Sequence, residues 1–472
     1  MSYYAEELAQ WTYSLNCKDV PQDVIDIAKH CLCDWVGITI YGSISPWSRA
    51  MASIVKDEKG KEEASVLASG IKVPAPNAAM VNGVMTLSYD ISDTFMETAL
   101  HPSCGIIASA LATAEREKAS GKELLSAIVA GYEVTERVGR ALNKPPQRLT
   151  SSKGFEANAL IPSFGATVAA GKLLKLNQEQ MANAIGLCSC SMTGGLIEYL
   201  VDGNWTYRWN AGKSGHDGVL NALMAQKGFV SPHAVFEGHW DDKGRYGVIN
   251  AFTGGIDTIS EITKGMGEKW HLRDLGFKYY GCCHYIHGFI DGMLKLMKEN
   301  QIKYDDIEEI TCFLPHMTLF LAVPRRIKLK PANLTVSQWS LPFCLAVAIM
   351  DGHLLNPAEQ LSQERLNDAR TLELAQRIKG ELKEELDGII EQKHILRSPF
   401  KLKLKNGKEY EAATDCKGFP SNPLSEEEID FKFNTLVSRV LSKEKTASLY
   451  SLLNKIEELE DVSQLAGSIS AQ

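Results

Sequence analysis

Two apolar, helix-like runs enclose a short polar loop, and this juxtaposition constrains the chain most. The first run begins at Ala78 and the second spans Gly105 to Ala114. Between them Leu87 to Cys104 reads LSYDISDTFMETALHPSC, with Asp90, Asp93 and Thr94 ahead of a turn at His101 and Pro102. Both flanks seek burial, so the ionisable loop is held by a rigid scaffold, as reactive groups commonly are.

Helical spacing extends well beyond this loop. Glu6 to Leu15 reads as one helix and Pro21 to Tyr41 as another, with Val24, Ile25, Ile27, Ala28, Cys31, Leu32 and Trp35 along its apolar face and Gly42 as its stop. A charge run at Lys56 to Glu63 precedes a strand-like piece at Ala64 to Leu67, and Asn77 is placed to cap the helix that begins at Ala78. Ser120-Gly-Lys-Glu123 is a capping box for a helix reaching about Leu142, and Asn177 caps another reaching about Cys190. Phe164 to Leu174 and Met192 to Leu196 are rich in small residues that let helices approach closely.

The texture changes near His271. Ile310 to Leu314 is rich in β-formers, and Phe400 to Leu404, Asn406-Gly407 and Glu409 to Thr414 form a hairpin signal. Helices over Ile286 to Asn300, Leu341 to Met350 and Glu364 to Ile378 cover such a sheet, and two more, Glu426 to Leu441 and Lys445 to Leu459, pack back on the first part. At 472 residues two domains are expected. The expected fold is mostly α with an α+β part: a helical domain over 1–270 and 416–472, and a smaller α/β lid over 271–415.

Several function classes are disfavoured. A net charge of −8 leaves no basic excess to neutralise phosphates, so no nucleic-acid partner is expected. The acidic, amphipathic start is unlike a signal peptide, and no apolar run reaches the ~18 residues of a membrane span. Eleven scattered cysteines suit reduced thiols in a cytoplasm. Ala211-Gly-Lys-Ser214 fails as a phosphate loop because Tyr207 stands where the motif needs glycine. No HExxH, GxGxxG or GxSxG occurs, and the cysteine pairs lack zinc spacing, so no metal or other cofactor is indicated.

Four stretches retain chemistry, each with a plainer reading beside it. His101 near Asp90 and Asp93 is a general acid or base titrating close to neutrality, or a loop histidine with two helix-end caps. Gly203 to Gly218 carries Tyr207, Arg208, Lys213 and His216 in what reads as a glycine-rich turn, suited to an anion or simply a surface turn. Lys278, His284 and His287 precede or open a helix whose N-terminus favours an anion. The adjacent Cys282 and Cys283 read as core filler rather than nucleophiles. Glu156 is a lone acid in Lys153-Gly-Phe-Glu-Ala-Asn158.

Taken in order, these stretches resemble the MmgE/PrpD family, whose members include 2-methylcitrate dehydratase, cis-aconitate decarboxylase and an iminodisuccinate epimerase. The resemblance spans nearly the whole chain. It rests on Asp90 to Ser103, Gly154-Phe155 with Phe164-Gly-Ala, Ala225 to Phe229, and Phe277-Lys-x-Tyr-x-Cys-Cys-x-x-x-His287. It implies a homodimeric, cofactor-independent lyase or isomerase that takes a proton α to a carboxylate of a small acid. On that resemblance His101, Tyr207 and Asp90 are catalytic, with Asp90 orienting His101. Asp93, Thr94, Glu156, Arg208, Asn210, Lys278, His284 and His287 bind substrate. Dehydration of a 2-methylcitrate-like hydroxy acid is the expectation from the family, with epimerisation or decarboxylation of a less anionic or amine-bearing acid, or a non-catalytic metabolite-binding role, as alternatives. Glu156, Tyr207 and Asn210 stand where relatives typically carry His, Lys and His, which favours the less anionic or amine-bearing substrate.

Overall fold

In the computed structural model, residues 2–143, 152–192, 195–197, 203–241, 244–388 and 397–469 are described. The helices α1 (Tyr4–Ser14), α2 (Gln22–Gly42) and α3 (Pro46–Glu58) lead to a small ribbon of β1 (Ala64–Val66) and β2 (Ile71–Val73). Then come α4 (Ala75–Thr86), β3 (Thr94–Phe95), α5 (Ser103–Glu117), α6 (Gly121–Asn143), α7 (Ala157–Leu160), α8 (Pro162–Leu173), α9 (Gln178–Ser191) and α10 (Thr206–Gln226). Helix α4 begins three residues before the expected Ala78. Pro74 takes the cap position and Pro76 lies in the first turn, where a missing N–H costs nothing, so Asn77 is not the cap.

A second correction concerns Gly203 to Gly218. Its greater part is the start of α10, not a turn. The glycines serve packing rather than bending. A Cβ on Gly212 would lie 2.7 Å from the Met80 carbonyl oxygen, and one on Gly218 would lie 2.5 Å from Ala166 Cβ. Helix α10 therefore lies directly against α4 and α8. Of the small-residue stretch Met192 to Leu196, Thr193 and Gly194 lie outside the described residues.

A short β4 (Leu275–Gly276) precedes α11 (His284–Asn300) and β5 (Ile307–Leu314). They are followed by α12 (Leu334–Gln338), α13 (Leu341–Asp351), α14 (Ala369–Gln376), β6 (Ile378–Leu382), β7 (Arg397–Leu404) and β8 (Glu409–Asp415). The four long strands form a sheet in the order β8-β7-β5-β6, with only the β5–β6 pair parallel. The Asn-Gly hairpin pairs Glu409 with Lys403 through Asp415 with Arg397. The expected helix over Glu364 to Ile378 is shorter. Asp368 caps α14, and Ile378 already pairs with Ile310 as the first residue of β6.

Two main apolar clusters result. One joins helices α1 to α10 with Phe433, Val437 and Leu449 of α15 (Glu426–Val437) and α16 (Lys443–Asn454). The other fills the space between the sheet, α11 and α13, and it includes Leu87, Cys104, Tyr207 and Ala211 from the helical part. The chain is thus mostly α with an α+β part, and its candidate residues sit where the two clusters meet. Among the described residues no helix is long and apolar enough to cross a membrane.

Because backbone atoms of α4 bound Gly212, side chains cannot relieve a crowding there. Gly212→Ala is expected to destabilise the protein by about 1–3 kcal/mol, although alanine favours helix by up to ~1 kcal/mol. Urea unfolding monitored by circular dichroism checks this, and an unchanged or raised midpoint would contradict the packing account.

Candidate active site

The polar loop is almost entirely buried. Ser88, Asp90, Ser92, Asp93, Thr94 and His101 are each under a tenth exposed. It is fixed at both ends by non-glycine residues in the left-handed region, Asp90 (φ 51°) and Ala99 (φ 56°). Such conformations persist where the surroundings over-determine them. Here β3 pairs with β4, Thr94 opposite Gly276 and Phe95 opposite Leu275, and Phe95 N–H donates to the Leu100 carbonyl. The β3–β4 pairing also delivers Lys278, two residues beyond Gly276, to the loop.

Lys278 and Asp90 form a pair that is 1% exposed on both sides. Lys278 Nζ donates to Asp90 Oδ1 at 2.6 Å and to the Asp90 carbonyl at 3.2 Å. Tyr207, on the first turn of α10, donates its hydroxyl to the same Oδ1 at 3.2 Å. Asp90 Oδ2 is buried with no partner among the described residues. Burial, reinforced by the Asp90 charge, holds the Tyr207 phenol well above its usual range, so it remains a neutral donor.

His101 is not oriented by Asp90, contrary to expectation. Its Nδ1 lies 2.8 Å from the Asp93 carbonyl oxygen and 2.9 Å from Thr94 Oγ1. A carbonyl only accepts, so Nδ1 carries the proton and Nε2 keeps its lone pair. Nor does the ring titrate near neutrality. Burial, then the Lys278 charge, push it down to about 4 against the opposing pull of Asp90. The Asp93 carboxylate has a different task. Oδ1 accepts from Ser103 Oγ at 2.5 Å and Ser103 N at 3.3 Å, and Oδ2 accepts from Tyr132 at 2.6 Å. Desolvation still lifts it to about 6. It ties the loop to α5 and α6.

Glu156 reaches His101 through one residue. Its Oε1 accepts from Asn158 N at 2.9 Å and Asn158 Nδ2 at 2.7 Å, while Asn158 Oδ1 accepts from His101 N at 2.6 Å. Burial, with Asp90 adding to it, raises the Glu156 carboxyl to about 7 despite the Asn158 bonds. Asn210 lies nearby. Gly195 accepts from Glu156 N at 2.7 Å, and a Cβ on Gly195 would come within 2.4 Å of Asn210 Oδ1. Sequence reasoning missed Asn158, although it closes the same short block as Glu156.

The remaining candidates divide. The His284 ring stands 6.3 Å from that of His101, centroid to centroid, and opens α11. His287, one turn on, turns away: its Nε2 donates to the Cys282 carbonyl at 3.2 Å and its ring abuts Tyr280. Arg208 is fully buried and engaged with the lid. Its guanidinium donates to Thr335 Oγ1 at 2.6 Å, Gln338 Oε1 at 2.9 Å and the Ser88 carbonyl at 3.2 Å, and it stacks over Trp47. It fastens α12 to the loop as much as it supplies charge.

With this geometry in view, the comparisons are direct. The MmgE/PrpD N-terminal domain profile matches residues 6–257 and the C-terminal domain profile residues 280–457. The chain belongs to the MmgE/PrpD family. A cis-aconitate decarboxylase-like protein, oryM, of Aspergillus oryzae is 25% identical over 99% of this chain and 97% of its own length. The cis-aconitate decarboxylase of Aspergillus terreus is 22% identical over 97% and 94%. That of Homo sapiens is 24% identical over 98% and 93%.

Cys282 and Cys283 are buried, and desolvation raises both thiols, Cys283 to about 12. They are core residues, as read from sequence. Of the eleven free cysteines only Cys190 is exposed, with Cys17 intermediate. Ellman's reagent is therefore expected to titrate one thiol rapidly in the native protein, a second slowly, and all eleven in guanidinium. Rapid native reaction of a thiol at 282 or 283, located by peptide mapping, would contradict this environment.

Proposed function

We propose that the protein is a lyase acting on a small carboxylic acid by removing a proton α to a carboxylate, with His101 Nε2 as the base. The observation that carries the reading is the pinned Nδ1 of a neutral, buried imidazole beside the Lys278–Asp90 pair. A base held in one tautomer accepts a proton without prior rearrangement. Lys278 holds the substrate carboxylate and stabilises the charge that develops on it as the carbanion forms. The names of the relatives, cis-aconitate decarboxylases, support carbanion chemistry on such an acid.

Dehydration of a hydroxy acid is the version favoured. The α-proton moves to His101 Nε2, the C–O bond breaks, and the hydroxyl leaves as water with a proton from Glu156. A carboxyl held near 7 is available as that acid at neutral pH. The substrate presents a hydrogen-bond donor to Asp90 Oδ2, the buried oxygen that lacks one. An amino group meets that need equally, which keeps epimerisation of an amine-bearing acid as the second version. Of such acids, those with fewer carboxylates than a tricarboxylate, with its about three charges at neutral pH, are favoured.

Incubation in D₂O with hydroxy-, amino- and tricarboxylic acids, followed by NMR, is expected to show solvent deuterium at one α-carbon or a new vinyl signal. Binding without any exchange would overturn the catalytic reading and favour a metabolite-binding relative. His101→Ala should lower turnover by roughly 10²- to 10⁴-fold, and a loss below tenfold would remove His101 from its role.

The pH profile has a defined sign. The base must be unprotonated, so kcat/KM rises with pH through about 4, and the acid must be protonated, so it falls with pH through about 7. Glu156→Gln is expected to abolish the upper limb. Persistence of that limb in the variant would exclude Glu156 as its source.

A further inference from the structure

The Lys278–Asp90 pair is itself held from behind. Lys432, on α15, is 2% exposed and spends its three N–H groups on three different segments. It donates to Asp34 Oδ1 on α2 at 2.5 Å, to the Lys278 carbonyl at 2.6 Å and to the Ile91 carbonyl at 3.2 Å. Lys278 in turn donates to the Asp90 carbonyl and carboxylate. Two buried lysines thus grip consecutive carbonyls, those of Asp90 and Ile91. Asp90 is the residue in the left-handed conformation. The backbone that aims its carboxylate is therefore fixed from both sides.

We propose that Lys432 is a positioning residue of the candidate active site, one that sets where the Lys278 ammonium and the Asp90 carboxylate stand. Its importance for turnover rests on the reading above, in which that pair binds substrate. Lys432 does not touch the candidate substrate-binding atoms. It acts on them through the backbone of Lys278 and Ile91. Asp34 supplies the carboxylate partner of this buried side chain, and no substrate role is assigned to it. Three parts of the chain far apart in sequence converge on this one ammonium: α2, the polar loop with the lid entry, and the C-terminal helix. The return of the C-terminal helices to the first domain then has a consequence for chemistry as well as for the core. Misplacement by roughly 1 Å of a group that positions substrate can cost on the order of 10²-fold in rate.

The test replaces the whole pair, because Lys432→Met alone would leave Asp34 buried without a partner. Asp34→Asn, Asp34→Asn/Lys432→Met and Lys432→Arg are purified beside the natural protein. Crystal structures give the Lys278 Nζ to Asp90 Oδ1 separation, and steady-state kinetics use the acid identified by deuterium exchange. In the double variant the pair is expected to separate by roughly 1 Å or more, with kcat/KM lowered on the order of 10²-fold. Lys432→Arg, which keeps the charge and donors, should recover most of that loss. A double variant whose Lys278–Asp90 pair stays in place overturns the proposal, whatever its activity. Lys278→Met separates the two questions. If it leaves KM unchanged while the double variant displaces the pair, the substrate-anchor reading fails and the positioning role of Lys432 stands.

Discussion

The buried bond between Lys278 and Asp90 is the constraint on which the candidate site depends. Removing two charges from water is costly, and their attraction offsets it only where geometry and extra hydrogen bonds are good. Here Asp90 Oδ1 accepts two hydrogen bonds, while Oδ2 has no partner among the described residues. A purely structural pair would be expected to satisfy both oxygens. The asymmetry is what a site that awaits a donor would show. The same bond ties the segment after β4 to the polar loop of the helical part. Arg208 adds a second tie, between Ser88 in the loop and Thr335 and Gln338 in the lid.

The loop can be this well fixed only because the helices under it are packed backbone to backbone. Gly212 and Gly218 bring α10 onto α4 and α8, which places Tyr207 and Arg208 at the end of a rigid element rather than on a flexible turn. Asp93 then uses both carboxylate oxygens to hold α5 and α6 to the loop. Its carbonyl, not its carboxylate, is what sets the His101 tautomer. Side chains that look equivalent in the sequence have thus been divided into one that faces chemistry and one that holds the scaffold.

Much of this was legible and some was not, for physical reasons. The Asn-Gly hairpin, the capping box at Ser120 and the burial of the cysteine pair follow from local rules that tertiary structure did not override. The cluster of Asp90, Thr94, His101 and Lys278 was legible as residues, because a loop of small polar groups between buried helices has few other uses. The partners were not. Asp90 is three residues from Asp93 and looks the likelier guide for His101, yet a positive φ at Asp90 turns its side chain to Lys278 and Tyr207 instead. The glycine density of 203–218 was read as a turn because glycine signals turns in isolation, whereas close helix contact requires it equally. Lys432 did carry a signal. It lies on the stripe Ile429, Lys432, Phe433, Leu436, Val437 of α15, where an amphipathic helix places apolar residues. A lysine there must find buried partners, and the identity of those partners is a tertiary fact.

Under the proposed function, the charge balance favours a substrate with fewer carboxylates than a tricarboxylate. Arg208 and Lys278 contribute two positive charges, Asp90 removes one, and Glu156 removes a further one once ionised. Glu156 is raised towards neutrality because it is buried and feels Asp90, so the site passes from a net positive charge to none as the pH crosses about 7. A ligand with one carboxylate at Lys278 is matched on the acidic side of that change. Each additional carboxylate would need a further cation, because an unpaired buried carboxylate is among the most costly groups to desolvate. Arg208 relieves this only through its Nε–H, which has no partner among the described residues, because both terminal nitrogens already donate to Thr335, Gln338 and the Ser88 carbonyl. The same acid that proposes itself as a proton donor is therefore also the group that limits how anionic a substrate can be. Selectivity and protonation state are, on this reading, one property of Glu156.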